Sequence, residues 1–205
     1  MTTALDGVSD EDLLRRFQKG DARAFEALLA RYERPIYNFI LRSVREKDRA
    51  ADLVQDVFLR VVQRSDQFKG NAKFSTWLYT IARNLCIDHS RKMVFRRHKS
   101  LDAPLRDEEG SAAMVDRVPS KTPRADRDTI AKRLQGEIAA AVETLPEEQK
   151  EVFLMRQVQH LPFKEIAAIV GVSENTIKSR MRYALQRLQE ALEEYRDYAE
   201  ELSRG

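Results

Sequence analysis

The sequence predicts an all-α protein: two small helical domains joined by a flexible linker. Three observations carry that prediction. Apolar residues recur at helical spacing over most of the 205 residues. Nothing alternates polar and apolar residues as a half-buried strand does. Between residues 96 and 130 the apolar periodicity fails, in a stretch with three prolines that passes from basic to acidic character, as in a segment with too little apolar surface to pack. The pattern sets an N-terminal helical bundle over 1–95, a flexible linker over 96–130 and a C-terminal helical domain over 131–205.

The first domain opens with Ser9 and Asp12, which resemble a capping box. Gly20 reads as the stop of that helix and Asp21 as the cap of the next, so the chain begins as a helical hairpin. Phe25, Leu28, Leu29, Tyr32, Ile36 and Ile40 keep helical spacing along the second helix, which Pro35 should kink or interrupt by removing a donor. A third pattern covers about 48–65. There "ADLVQDVFLRVVQR" puts Leu53, Val54, Val57, Phe58, Val61 and Val62 on a broad buried face. Asp52, Gln55, Asp56 and Arg60 lie opposite, with Leu59 in their midst. After the polar loop "DQFKGNAKFS" a fourth pattern runs over 74–92, with Phe74, Leu78, Ile81, Ala82 and Leu85 toward the core. Beside them Trp77, Thr80, Asn84 and Arg91 form a stripe, with Arg83 farther round and Arg96, Arg97 and Lys99 following in sequence.

Helical pattern returns at about 131. Thr144 and Glu147 flank Pro146 as a second capping box, with the proline near the first turn, where it is tolerated. In "EIAAIVGVSENTIKSR" Ile166, Ala167 and Val170 form an inward face and Gly171 supplies a left-handed turn; Val172 packs and Ser173 caps the following helix. On that helix Ile177, Met181, Ala184, Leu185 and Leu188 fall on one side. Asn175, Thr176, Ser179, Arg182 and Tyr183 fall on the other, with Lys178 and Arg180 at its margins. The tail "LQEALEEYRDYAEEL" is an acidic amphipathic helix, for which a solvated face is the usual explanation.

Composition narrows the classes. Hydrophobic content of 42% suits a soluble globular protein, and 36 basic against 33 acidic residues give a formal charge of +3, too balanced to prove a polyanionic partner. One cysteine, Cys86, excludes an internal disulfide and a Cys-based zinc site, which fits a reducing cytosol. No apolar run approaches membrane-spanning length, and the acidic start lacks the regions of a signal peptide, so the sequence reads as cytoplasmic with no membrane insertion. The three histidines, His89, His98 and His160, are scattered. No phosphate-binding glycine loop or metal-ligand spacing occurs, so no catalytic residue, metal or cofactor is expected.

Three surfaces carry chemistry, each with a plainer reading beside it. The polar face of "ENTIKSRMRY" suits a helix in the major groove, where short amides and hydroxyls reach base edges and arginines reach guanine or phosphate; a helical hairpin with a solvated face has the same pattern. Leu59 among carboxylates and an amide forms a small docking surface for an arginine-rich protein, whereas a single exposed leucine is commonplace. Trp77 beside Asn84 and Arg91 suits single-stranded nucleic acid, with stacking worth about 1 to 3 kcal/mol per base; a tryptophan packed at the core's edge shares that composition.

Taken together, "LLRRFQKGDARAFEALLARY", "DLVQDVFLRVV", "FSTWLYTIARNLCIDHSRK", "LPEEQKEVFLMR" and "FKEIAAIVGVSENTIKSRMRYALQRL" resemble the extracytoplasmic function (ECF) sigma factors, the two-domain initiation subunits of bacterial RNA polymerase. The resemblance spans most of the chain outside the linker. It implies that the chain directs core polymerase to specific promoters and assists strand opening. Asp52, Gln55, Asp56 and Leu59 would dock on the clamp of the polymerase's largest subunit, and the C-terminal domain would meet the flap of the second-largest. Lys69, Asn71, Lys73, Trp77, Asn84 and Arg91 would contact the opened minus-10 element, including a base turned out of the stack. Asn175, Thr176, Lys178, Ser179, Arg180, Arg182 and Tyr183 would hold the double-stranded minus-35 element. The linker would thread near the polymerase active centre, and an anti-sigma factor would cover the same surfaces. The competing reading is an autonomous helix-turn-helix regulator that binds DNA without polymerase; it leaves Leu59 and the aromatic stripe without a purpose.

Overall fold

In a computed structural model the chain is described at residue 5 and over residues 7–101 and 123–195. Among these the regular structure is all helical: α1 Asp10–Gln18, α2 Ala22–Val44, α3 Lys47–Arg64, α4 Phe74–Leu101, α5 Pro123–Glu143, α6 Glu147–Gln157, α7 Phe163–Val170 and α8 Glu174–Ala191. Short 3-10 turns follow at Ser65–Gln67 and Glu193–Tyr195. Helix enters the expected linker from both sides, in α4 up to Leu101 and in α5 from Pro123. The middle of that linker, 102–122, and the acidic tail beyond 195 lie outside the described residues, as do the side chains of Arg96, Arg97, His98 and Lys99.

The chain divides into two compact units. One takes in the described residues up to 101 with 155–174, the other 123–154 and 175–195. In the first, α1 opens as its sequence dictates: Ser9 stands at the N-cap, its hydroxyl accepting from the Asp12 N–H at 3.2 Å and donating to the Asp12 carboxylate at 2.6 Å. Gly20, at φ 96°, turns the chain, and Asp21 caps α2 by accepting from the Arg23 N–H at 3.1 Å. Leu13, Leu14, Leu28, Ile36, Ile40, Val57, Val61, Phe74 and Leu78 are fully buried where α1 to α4 pack on one another. Each is worth about 1.5 to 3 kcal/mol in water excluded from its side chain. Cys86 is buried among them.

One sequence expectation is narrowed here and one is corrected. Pro35 does not interrupt α2, which runs unbroken past it. The ring removes one donor, but the buried Ile36, Phe39 and Ile40 beyond it anchor the continuing helix to the core. Nor does Thr144 cap α6. Its hydroxyl turns back to donate to the Ala141 carbonyl at 2.8 Å, closing α5. Pro146 stands directly before α6, and its carbonyl accepts from the Gln149 and Lys150 N–H groups at 2.9 Å. Thr144 lies two residues too early to serve as the cap.

In the second unit Ala141, Val142, Leu145, Val152, Ile177, Met181, Ala184 and Leu188 are buried. The Lys150 ammonium, also buried, is paired with Glu143 at 2.7 Å, as a buried cation must be. Back in the first unit, α7 is closed by Gly171, which takes a left-handed φ of 79° and whose N–H donates to the Ala167 carbonyl. On α7 the inward residues are Ile166, Ala167 and Ile169, with Val170 only half-buried, so the buried stripe sits one position back from the sequence expectation.

Candidate functional site

Three exposed surfaces hold the predicted residues. On α3, Asp52, Gln55, Asp56 and Leu59 are all exposed on the face turned away from the core, with Arg60 half-buried. Leu59 is 55% exposed. The sequence placed Val62 in the core, yet it is 40% exposed. At about 100° per residue Val62 falls between the buried Phe58 and the bare Leu59, a margin position that neighbours decide. Exposed, it joins Leu59 in an apolar pair rimmed by carboxylates. Asp52 also faces Arg49, at 3.5 Å.

The second surface is the loop between α3 and α4 with the start of α4. Lys69, Asn71 and Lys73 are exposed, and Gly70 takes a left-handed φ of 74°. Under the loop lies an aromatic cluster: Phe68 sits 5.3 Å from Trp77 and 6.4 Å from Phe74, and Tyr32 stands edge-on to Phe74 at 5.4 Å. Trp77 is therefore half-buried by packing on Phe68 and Phe74. The Thr80 hydroxyl donates back to the Thr76 carbonyl at 2.7 Å and is engaged along its own helix. Asn84 and Arg91 are exposed farther along. Trp77, Asn84 and Arg91 recur every seven residues, so they form one slowly drifting stripe about 21 Å long.

Lys73 differs from the other loop cations. Its ammonium contacts the Glu165 carboxylate at 2.5 Å, within the same compact unit, and Glu165 also accepts from Ser75 at 3.2 Å and Thr76 at 3.4 Å. The Glu165 hydrogen bond, then its charge, raises the Lys73 pKa above its ordinary value, with Glu11 adding to the effect.

Both ends of the loop are tied to α1, by contacts that the sequence did not reveal. The Gln18 amide donates to the Ser65 carbonyl at 2.7 Å and the Phe68 carbonyl at 3.4 Å. The Glu11 carboxylate accepts from the Phe74 N–H at 2.8 Å. Only the acidic run at 10–12 hints at Glu11, and it reads as ordinary helix-start chemistry.

The third surface is α8. Asn175, Lys178, Ser179, Arg182 and Tyr183 are exposed; Thr176 and Arg180 are half-buried. Arg182 stacks on the Tyr183 ring at 5.0 Å and donates to its hydroxyl at 3.3 Å, a cation-π pair that stiffens both side chains. Arg180 is tied to Glu148 of α6 at 2.6 Å, so part of its charge serves the fold. Leu185, expected inward, is 46% exposed. Like Val62 it lies at the margin of an apolar stripe, and the buried Met181, Ala184 and Leu188 close the core without it. Among the described residues no group of His, Cys, Asp and Glu is placed to hold a metal.

The Sigma-70 region 2 family matches residues 28–94, which include the α3 face and the loop with its stripe; the Sigma-70, region 4 family matches 135–188, which include α8 through Tyr183 and beyond. The chain is 27% identical over 184 residues to the RNA polymerase sigma-H factor of Pseudomonas aeruginosa, covering 90% of this chain and 94% of that protein. To the ECF RNA polymerase sigma factor SigW of Bacillus subtilis it is 29% identical over 179 residues, 87% and 94% of the respective chains. Among solved structures, the sigma factor RpoE in complex with the anti-sigma factor NepR from Bartonella quintana superposes with a TM-score of 0.61 at 25% identity, covering 84% of this chain and 98% of that one.

Proposed function

This chain belongs to the ECF RNA polymerase sigma factors, a family of non-enzymatic transcription initiation factors, and from that membership we propose a division of labour among its three surfaces. The α3 face with Asp52, Gln55, Asp56 and Leu59 docks on the clamp of core polymerase. The bare Leu59–Val62 pair inserts as an apolar knob, and the carboxylates around it meet basic side chains. The loop, through Lys69, Asn71 and Lys73, and the stripe of Trp77, Asn84 and Arg91 hold the non-template strand of the minus-10 element. Unpairing a base costs a few kcal/mol, and capture of the displaced base offsets it. Asn175, Thr176, Lys178, Ser179, Arg180, Arg182 and Tyr183 on α8 hold the minus-35 duplex, while the same domain meets the polymerase flap.

The observation that carries this reading is the pairing, in one chain and in this order, of a region 2 match and a region 4 match, each over a surface of the expected polarity. An autonomous regulator has no need of the first. Duplex rises about 3.4 Å per base pair, so two separated promoter elements lie farther apart than one small domain spans. Core polymerase, which binds both parts, sets their separation. An anti-sigma factor, of the kind bound to the Bartonella relative, would silence the chain by covering these surfaces. The working place in this reading is the cytoplasm; no helix among the described residues is long and apolar enough to cross a membrane.

The experiment is titration of core polymerase with the chain and with a variant carrying Asp52→Lys and Asp56→Lys. The expected result is at least tenfold weaker binding by the variant with its helical content intact, about the effect of 1.4 kcal/mol. Unchanged affinity would remove the docking assignment.

A further inference from the structure

Loops that handle a single strand face a conflict. They must expose polar groups to reach the strand, yet an exposed loop is conformationally loose, and ordering each residue at the moment of binding costs about 1 to 2 kcal/mol of backbone entropy. In this chain the exposed stretch from Lys69 to Lys73 is held at both ends by one helix that makes none of the proposed DNA contacts. Gln18 binds the carbonyls of Ser65 and Phe68 just before the stretch, and Glu11 binds the N–H of Phe74 just after it.

We propose that Glu11 and Gln18 are positioning residues for promoter opening, fixing the two ends of the 69–73 loop from one face of α1. Seven residues separate them, which on a helix puts them on the same side about 10 Å apart. The helix itself is immobilised, because Leu13 and Leu14 between them are fully buried and Ser9 caps its start. The two grips differ in kind. Gln18 donates to the carbonyls at both ends of the Ser65–Gln67 turn: that of Ser65, which also accepts from the Phe68 N–H, and that of Phe68. Glu11 places a carboxylate at the first N–H of α4, where orphan donors and the positive end of the helix dipole favour an anion. Between the grips nothing crowds Gly70, whose left-handed φ turns the chain. The result is a span with defined ends and a solvent-facing middle, pre-shaped before any strand arrives.

This inference rests on the reading of the loop as the minus-10 contact, and its test separates the two. Full-length chains carrying Glu11→Ala, Glu11→Gln, Gln18→Met, Lys69→Ala or Asn71→Ala are combined with core polymerase and one promoter. Three quantities are measured for each: affinity for core polymerase, recruitment to the promoter, and permanganate reactivity of the minus-10 thymines. Glu11→Ala is expected to lower the rate of opening about tenfold, the scale of one charge-assisted hydrogen bond, with polymerase affinity changed less than twofold. Gln18→Met should do the same to a lesser degree. Glu11→Gln retains an acceptor oxygen at the same reach and should recover most of the opening. Hydrogen exchange should show the Phe74 amide losing protection in Glu11→Ala while the α4 amides beyond it keep theirs.

If Lys69→Ala and Asn71→Ala impair opening while Glu11→Ala and Gln18→Met do not, the positioning role is wrong and the loop reading stands. If none of the four affects opening, the loop reading fails and takes this inference with it. If opening, polymerase affinity and thermal stability fall together in Glu11→Ala, and Gln18→Met and Glu11→Gln behave like the native chain, the contact is merely structural and the inference is overturned.

Discussion

Arg182 and Asp12 show how single side chains are prepared by their neighbours. Stacking on Tyr183 leaves the Arg182 guanidinium exposed but restrained, so less rotamer entropy remains to be lost on binding a base. Arg182→Ala is expected to cost about 1 to 3 kcal/mol of promoter binding and to relax preference at one upstream position; an identical profile across all upstream variants would contradict a base contact. Asp12 is held below its ordinary value of 3.8 first by the Ser9 hydroxyl and next by Arg15. A lowered carboxyl stabilises the fold fully above that ordinary value and loses its contribution as pH falls through the lower folded one. Ser9→Ala should return the Asp12 titration, followed by NMR, toward 3.8 and cost about 0.5 to 2 kcal/mol. At this scale the sequence was readable where partners are near in the chain: Ser9 with Asp12, Asp21 with Arg23. It was silent on Glu11 with Phe74 and on Arg180 with Glu148, because neither pair shares an element and no periodicity connects them.

Helices α3 and α8 carry the exposed faces, and both were legible as amphipathic stripes. The errors fell at the stripe margins. Val62 and Leu185 sit where helical phase alone does not say whether a neighbour reaches far enough to cover the side chain. Exposure of Val62 enlarges the proposed docking face, so Leu59→Ala with Val62→Ala should weaken polymerase binding more than Leu59→Ala alone, measured by competition. Equal affinities would confine the knob to Leu59. On α2 the proline is tolerated rather than required. Pro35→Ala restores a donor and removes a ring clash, and the general penalty for an interior proline is about 3 kcal/mol. Thermal unfolding of Pro35→Ala should therefore occur at higher temperature than that of the native chain; a lower one would mean that the missing donor is part of how α2 packs.

Across the whole molecule, the proposed function is shared among surfaces too far apart in sequence and too small alone to act as a promoter reader. Local packing differs, with an aromatic cluster beneath the loop and aliphatic side chains beneath α8. In the proposed reading, core polymerase joins them. The most direct measurement is run-off transcription by purified core polymerase on a pool of random promoters, with and without this chain. The expected result is a new set of transcripts that start a fixed distance downstream of two short shared elements and that vanish with the Asp52→Lys, Asp56→Lys variant. Transcripts whose starts are the same in the presence and absence of the chain would contradict the central claim.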